Sequence, residues 1–156
     1  MSLAKELGFR HPIGQTAQEA VLNIVLTGAL LSKEGDRLFR PMGLTDAQFN
    51  VLMLLKYQSE NGEMNQTALG SMLLVNRSNV TGLIDRMEQA GWVKRTAQTD
   101  DRRVNLVRIT AAGLEILEQA ENVYFQRLEE VMSDLNDKER YQLCNALERI
   151  RAKLAG

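Results

Sequence analysis

Between Asn76 and Gly82 lie six residues whose chemistry suits the edge of a base pair: Asn76, Arg77, Ser78, Asn79, Thr81 and Gly82. They offer short donors and acceptors, one guanidinium and, at Gly82, no side chain at all. The floor of a DNA major groove presents fixed donor and acceptor patterns, and short side chains let a helix approach them closely. A glycine inside a helix costs up to about 1 kcal/mol relative to alanine, and a close backbone approach would explain that loss. The same residues also suit a solvated helix face with good capping chemistry, and by themselves they leave the two readings even. Further on, Asp100, Asp101, Arg102 and Arg103 form a second polar cluster. Arginines at the end of a two-stranded ribbon can reach a narrow minor groove, where negative potential concentrates. Asp101 lies two residues from Arg103 and can orient that guanidinium through a charge-assisted hydrogen bond. In isolation, a charged surface turn with a local ion pair is the better reading of this cluster.

Both clusters need elements to carry them. Val80, Leu83, Ile84 and Met87 fall at i, i+3, i+4 and i+7, the stripe of a half-buried helix. Asn76 is a good N-cap for it, Val75 and Val80 occupy the staple positions, and Gly91 sits where a helix ends. Asn65 caps a shorter helix before it, running to about Leu73 with Ala68, Leu69 and Met72 expected inward, and residues 74–76 form the turn between them. Residues 92–96 and 103–109 read as paired strands, with 97–102 as their turn. The order is helix, tight turn, helix, hairpin. At this spacing the arginine-tipped ribbon reads as a wing beside a helix-turn-helix.

The flanking segments are helical. Residues 15–37 form a helix in which Val21, Leu22, Ile24, Val25, Leu26, Leu30 and Leu31 predict burial on more than one side. Pro41 and Gly43 end it. Thr45 and Gln48 have capping-box spacing ahead of Phe49, Leu52, Met53 and Leu55, and Asn61-Gly62 marks a turn. Thr110 caps a helix to about residue 135, whose near-heptad stripe is broken at Glu121. Asn136 and Glu139 start the last helix, with Leu143, Leu147, Ile150 and Leu154 as its stripe. The expected fold is mainly α with a small antiparallel β-hairpin wing, a winged helix-turn-helix whose N- and C-terminal helices form a dimerisation region. The expected divisions are 1–44 for the N-terminal segment and dimerisation helix, 45–110 for the DNA-binding part, and 111–156 for the C-terminal dimerisation helices.

Composition bounds the function. The 156 residues are 44% hydrophobic and 25% charged, usual for a globular domain. Net charge is −1, but residues 76–110 hold seven basic and four acidic side chains, a weak sign of a phosphate-facing surface. Cys144 is the single cysteine, which excludes an internal disulfide; with no secretory signal visible, a cytoplasmic setting is expected. Its place near the last helix's stripe favours packing over redox sensing. The longest apolar stretch is too interrupted to span a membrane. His11 is the single histidine, so no His cluster for a metal and no supported catalytic triad exist, and neither an enzyme nor a cofactor is expected. Met42 and Met53 are candidates to flank an adaptable pocket.

Three segments together resemble the MarR family of bacterial transcriptional regulators: residues 44–52; residues 76–87 followed by Ala90-Gly91-Trp92-Val93-Lys94-Arg95; and Asp101-Arg102-Arg103 running into Leu106-Val107-Arg108-Ile109-Thr110. The likeness covers about residues 15–154. It implies a dimer with intertwined terminal helices, the helix from Arg77 in the major groove and the wing tip in the minor groove. Asp101 and Arg103 match the family's wing-tip Asp-x-Arg pattern; the minor-groove role carries to Arg103 and more weakly to Arg102. It also implies a small aromatic or anionic effector. The expected function is a repressor binding a pseudo-palindromic duplex operator as a homodimer. The alternative is a winged-helix module that binds protein instead, because a fold does not by itself guarantee DNA contact.

Overall fold

A computed structural model describes residues 2–73, 80–98 and 101–156, with the side chains of 97–98 and 101–105 outside that description. The chain forms two compact units, Met1–Leu117 and Glu118–Gly156. The first contains α1 (Leu3–Glu6), α2 (Thr16–Phe39), a 3-10 turn (Arg40–Met42), α3 (Asp46–Tyr57), β1 (Glu63–Asn65), α4 (Gln66–Met72), α5 (Val80–Gln89), β2 (Val93–Gln98), β3 (Asp101–Ile109) and the start of α6 (Ala111–Val131). The second holds the rest of α6 and α7 (Asp137–Ala155).

Local signals set most of these boundaries. At α3 the Thr45 hydroxyl accepts the Gln48 N–H at 3.3 Å, and the Gln48 side chain accepts the Thr45 N–H at 2.9 Å. Two backbone donors that the helix leaves open are thereby satisfied. Asn65 accepts from Thr67 and Ala68 at the start of α4, and Asn136 and Glu139 form the same reciprocal cap on α7. The core of the first unit follows from the apolar faces these helices present. The Phe39 ring stacks on Phe49 with centroids 4.3 Å apart. Val51, Leu52, Leu55, Leu69, Ile84, Met87, Val93 and Val107 are fully enclosed. Each such side chain contributes roughly 1.5–3 kcal/mol through burial.

The sheet differs from the expected hairpin in two ways. It has three antiparallel strands in the order β1-β3-β2. The added strand pairs Glu63 with Arg108, Met64 with Val107 and Asn65 with Leu106. Its three residues are too few for alternation to show, and Asn65 doubles as the α4 cap. The paired strands also run further than expected. Gln98 lies opposite Asp101, so Asp101 and Arg102 join Arg103 in β3 and do not belong to a six-residue turn. The register jumps from Ala97↔Asn105 to Gln98↔Asp101, leaving β3 with extra residues, among them Arg102 and Arg103. A bulge of this kind bends and twists a ribbon near its end.

Other expectations are corrected as well. Met72 is exposed rather than inward. α6 stops at Val131, four residues early, because Arg140 reaches back and donates to the carbonyls of Met132 at 2.9 Å and Leu135 at 3.0 Å. Those acceptors then need no further helical turn. Cys144 is exposed. On α2 only Gly35 and Phe39 are buried, while Val21 is 58% and Val25 63% exposed in the single chain. Among the described residues, no helix is long and apolar enough to cross a membrane, and no group of three or more potential ligands gathers to hold a metal ion.

Candidate nucleic-acid interface

α5 is anchored chiefly through its apolar face. Leu83, Ile84 and Met87 are buried, as their spacing predicts, and Val80 is half-buried. Thr81 is exposed and Gly82 half-buried on the first described turn. The remaining expected groove residues, Asn76, Arg77, Ser78 and Asn79, lie outside the described residues. A Cβ on Gly70 would stand 3.2 Å from the Val80 side chain, so α4 and α5 meet with almost no spare space.

The passage from α5 to the ribbon is equally tight. Gly91 takes the left-handed conformation at φ 77. The Gly91 N–H donates to Glu88 and the Trp92 N–H to Met87, both at 3.0 Å, which closes the helix end in a Schellman arrangement. The Trp92 carbonyl then accepts the Thr110 N–H at 3.0 Å. The Thr110 hydroxyl donates to the Gly91 carbonyl at 2.6 Å and accepts the Gly113 N–H at 3.0 Å, capping α6. A Cβ at Gly113 would lie 2.1 Å from the Trp92 carbonyl oxygen, so only glycine fits there.

Arg95 on β2 binds the parts together. Its guanidinium donates to Asp85 at 2.6 Å and Glu88 at 2.7 Å, both on α5, and to the Thr81 carbonyl at 3.4 Å. Its Nε donates to the Gln66 side chain at 3.4 Å, and Gln66 in turn donates to the Thr81 hydroxyl at 3.0 Å. The Arg95 backbone N–H donates to Glu88 at 2.8 Å, and this bond holds the Glu88 carboxyl below the ordinary glutamate range. On the other side of the ribbon, Glu63 accepts from the Thr96 hydroxyl at 2.8 Å and from Arg108 at 2.6 Å. The Thr96 bond first, and then the Arg108 bond, lower the Glu63 pKa. Arg95 and Arg108 are therefore both engaged with carboxylates, and the basic count of residues 76–110 overstates the charge open to a phosphate. Sequence reasoning missed Gln66, Asp85, Glu88 and Arg95. The legible signal was two acids one helical turn apart, Asp85 and Glu88, followed by an arginine on the next strand.

A helix held by its apolar side, a close-packed helix before it and a ribbon locked to its flank define a winged helix-turn-helix. The MarR family profile matches residues 44–104. The HTH-type transcriptional regulator YwoH of Bacillus subtilis, itself uncharacterized, is 31% identical over 131 residues, covering 84% of this chain and 87% of YwoH. The chain belongs to the MarR family, and it is a DNA-binding transcriptional regulator. AbsC, a MarR family regulator from Streptomyces coelicolor, superposes with a TM-score of 0.83 at 26% identity, covering 94% of this chain and 99% of AbsC. Sco3205 from the same organism, solved in complex with DNA, shares the fold with a TM-score of 0.77 at 23% identity, covering 92% of this chain and 91% of Sco3205.

Proposed function

We propose that the protein is a homodimeric repressor that reads a pseudo-palindromic operator with two copies of α5 and that a small molecule modulates this binding. The carrying observation is that α5 buries its apolar face, leaves Thr81 exposed and Gly82 half-buried, and is coupled through Arg95 to the ribbon. Asn76, Arg77, Ser78 and Asn79 extend that face in sequence toward the helix start. On this reading they, Thr81 and Gly82 contact base edges and phosphates of the major groove. Arg102 and Arg103 enter the flanking minor groove, with Asp101 orienting Arg103; their place in the β3 irregularity near the end of the ribbon supports this. The protein acts by binding rather than catalysis, in the cytoplasm where its operator lies.

The exposed apolar side chains supply the reason for a dimer. Val21, Ile24, Val25, Leu30 and Leu31 on α2, and Tyr141, Leu143, Ile150 and Leu154 on α7, would all face water in a lone chain. Homodimers are typical of the family. A two-fold axis covers both helices with their own copies and sets two reading heads about one helical turn apart. On this reading the terminal segments 1–44 and 111–156 supply the dimer contacts and residues 45–110 the DNA contacts.

A cavity of about 420 Å³ opens on α3 and α4, lined by Met53, Leu54, Tyr57, Met72 and Leu73 with the amides of Asn50 and Gln58. Its size suits a small effector. Among the described residues no charged side chain lines it, which favours a neutral aromatic ligand over an anion. Met53, one of the two methionines considered for a pocket, lines it together with Met72; Met42 does not.

The test is selection of bound duplexes from a random pool by the intact protein. A repeated half-site at a fixed spacing of about 10 base pairs is expected. Replacing Arg102 and Arg103 with Ala should reduce the slope of log affinity against log salt by about 0.9 for each phosphate no longer neutralised. A pool that yields no common sequence would overturn the operator reading.

A further inference from the structure

Gln66 sits at the start of α4, between a group that can only donate and a group that can do either. Arg95 donates to the Gln66 oxygen at 3.4 Å. A guanidinium has no acceptor, so it accepts only that orientation of the amide. Arg95 is itself held by Asp85 at 2.6 Å and Glu88 at 2.7 Å, with its side chain only 25% exposed. The amide nitrogen of Gln66 is thereby turned to the Thr81 hydroxyl, 3.0 Å away, and donates to it. One lone pair of that hydroxyl is used, and its single proton is not needed by Gln66. The direction of every bond in the series from Arg95 through Gln66 to Thr81 follows from the guanidinium.

We propose that Gln66 determines what Thr81 reads: with Gln66 in place, Thr81 offers a hydrogen-bond donor to the base edge opposite it. This rests on the reading that α5 lies in the major groove. A donor there selects bases with an exposed acceptor, namely guanine O6 or N7, adenine N7 or thymine O4. It disfavours cytosine, whose edge presents an amino donor. Gln66 acts as a positioning residue and need not touch the base. A glutamate at the same position would accept from both neighbours. It would draw the Thr81 proton inward and leave a lone pair outward, so the preference should turn toward cytosine.

The experiment compares duplexes selected from a random pool by the full-length parent and by Thr81→Val, Gln66→Met and Gln66→Glu. Thr81→Val should lose the preference at one symmetry-related pair of positions. Gln66→Met should weaken the preference at that same pair about five- to tenfold, and Gln66→Glu should shift it toward cytosine. For Gln66→Met, which changes no charge, binding to unselected duplex at low salt should stay within about twofold of the parent, because phosphate contacts supply that affinity. If both Gln66 variants keep the parental preference at the position that Thr81→Val alters, Thr81 reads through its methyl group and the proposal fails. It fails equally if Thr81→Val alters no position. Should Gln66→Glu not fold, Gln66→Met alone decides. A parent that selects no sequence refutes the operator reading itself, an outcome visible before any variant is compared.

Discussion

Arg95 makes contacts that no other basic side chain could reproduce. Its planar fork reaches Asp85, Glu88 and the Thr81 carbonyl together, while its Nε serves Gln66. A lysine ammonium is a single point and cannot span those acceptors. Arg95→Lys should therefore lower stability by about 1–2 kcal/mol, read by urea unfolding. It should also weaken operator binding more than binding to unselected duplex, read by fluorescence anisotropy. Equal loss on both duplexes would show that Arg95 supplies charge rather than position. Glu63 gives a pH-dependent case. Its carboxylate is held below the ordinary value of 4.5 by Thr96 and Arg108 in the folded chain. A depressed carboxyl stabilises the fold above its unfolded pKa, and that contribution is lost as pH falls through the folded value. Glu63→Gln should thus be less stable than the parent by about 1 kcal/mol at pH 7, and thermal melts should converge below pH 4.5. The Gln66–Arg95 and Glu63–Arg108 partnerships were not legible in the sequence, because they span 29 and 45 residues, whereas Asp85 and Glu88 ahead of Arg95 left a local signal.

Among the elements, legibility follows the range of the interaction. The caps at Thr45, Asn65, Thr110 and Asn136 were readable because each is settled within three residues. The buried stripe of α5 was readable because periodicity alone decides it. β1 was not, since three residues next to a cap acquire strand character only from pairing with β3. The end of α6 depends on Arg140 returning from the next helix, and the extent of the ribbon on pairing at its far end. The residues expected to read DNA fare unevenly: Thr81 is exposed on α5, Gly82 is half-buried there, and the turn expected around Arg102 is strand. Gly113 carries the sharpest prediction at this scale. Its missing side chain lets α6 begin against the Trp92 carbonyl, 2.1 Å from where a Cβ would stand. Gly113→Ala must displace backbone and should cost about 3 kcal/mol or more despite alanine's better helix propensity, measured by chemical denaturation. A more stable Gly113→Ala protein would mean that the α6 start is free to shift.

For the molecule as a whole, the apolar surface of α2 poses the question of partnership. Val25→Glu combined with Leu31→Glu should convert a particle of twice the 17.6 kDa chain mass into one of single mass by light scattering. Salt dependence and operator affinity should fall together, because one reading head then binds without the other. A particle still of double mass would place the interface elsewhere. The cavity on α3 makes a separate claim. Met53→Trp should fill part of its 420 Å³ and abolish any effect of neutral aromatic compounds on duplex binding while leaving binding itself intact, as judged by anisotropy titration.

The closure of α5 at Gly91 and Trp92 has a consequence for how such a chain can change length. Three residues join the helix to β2, and the backbone N–H of each is committed: Ala90, Gly91 and Trp92 all donate to the helix end, while the carbonyls of Gly91 and Trp92 accept from Thr110. A single inserted residue there would disengage the ribbon from the helix it flanks. At the far end of the ribbon Gln98 is simply paired with Asp101. An insertion tolerated by this chain therefore belongs at the far end of the ribbon, where it lengthens the strands' tip and spares the fit of β2 against α5.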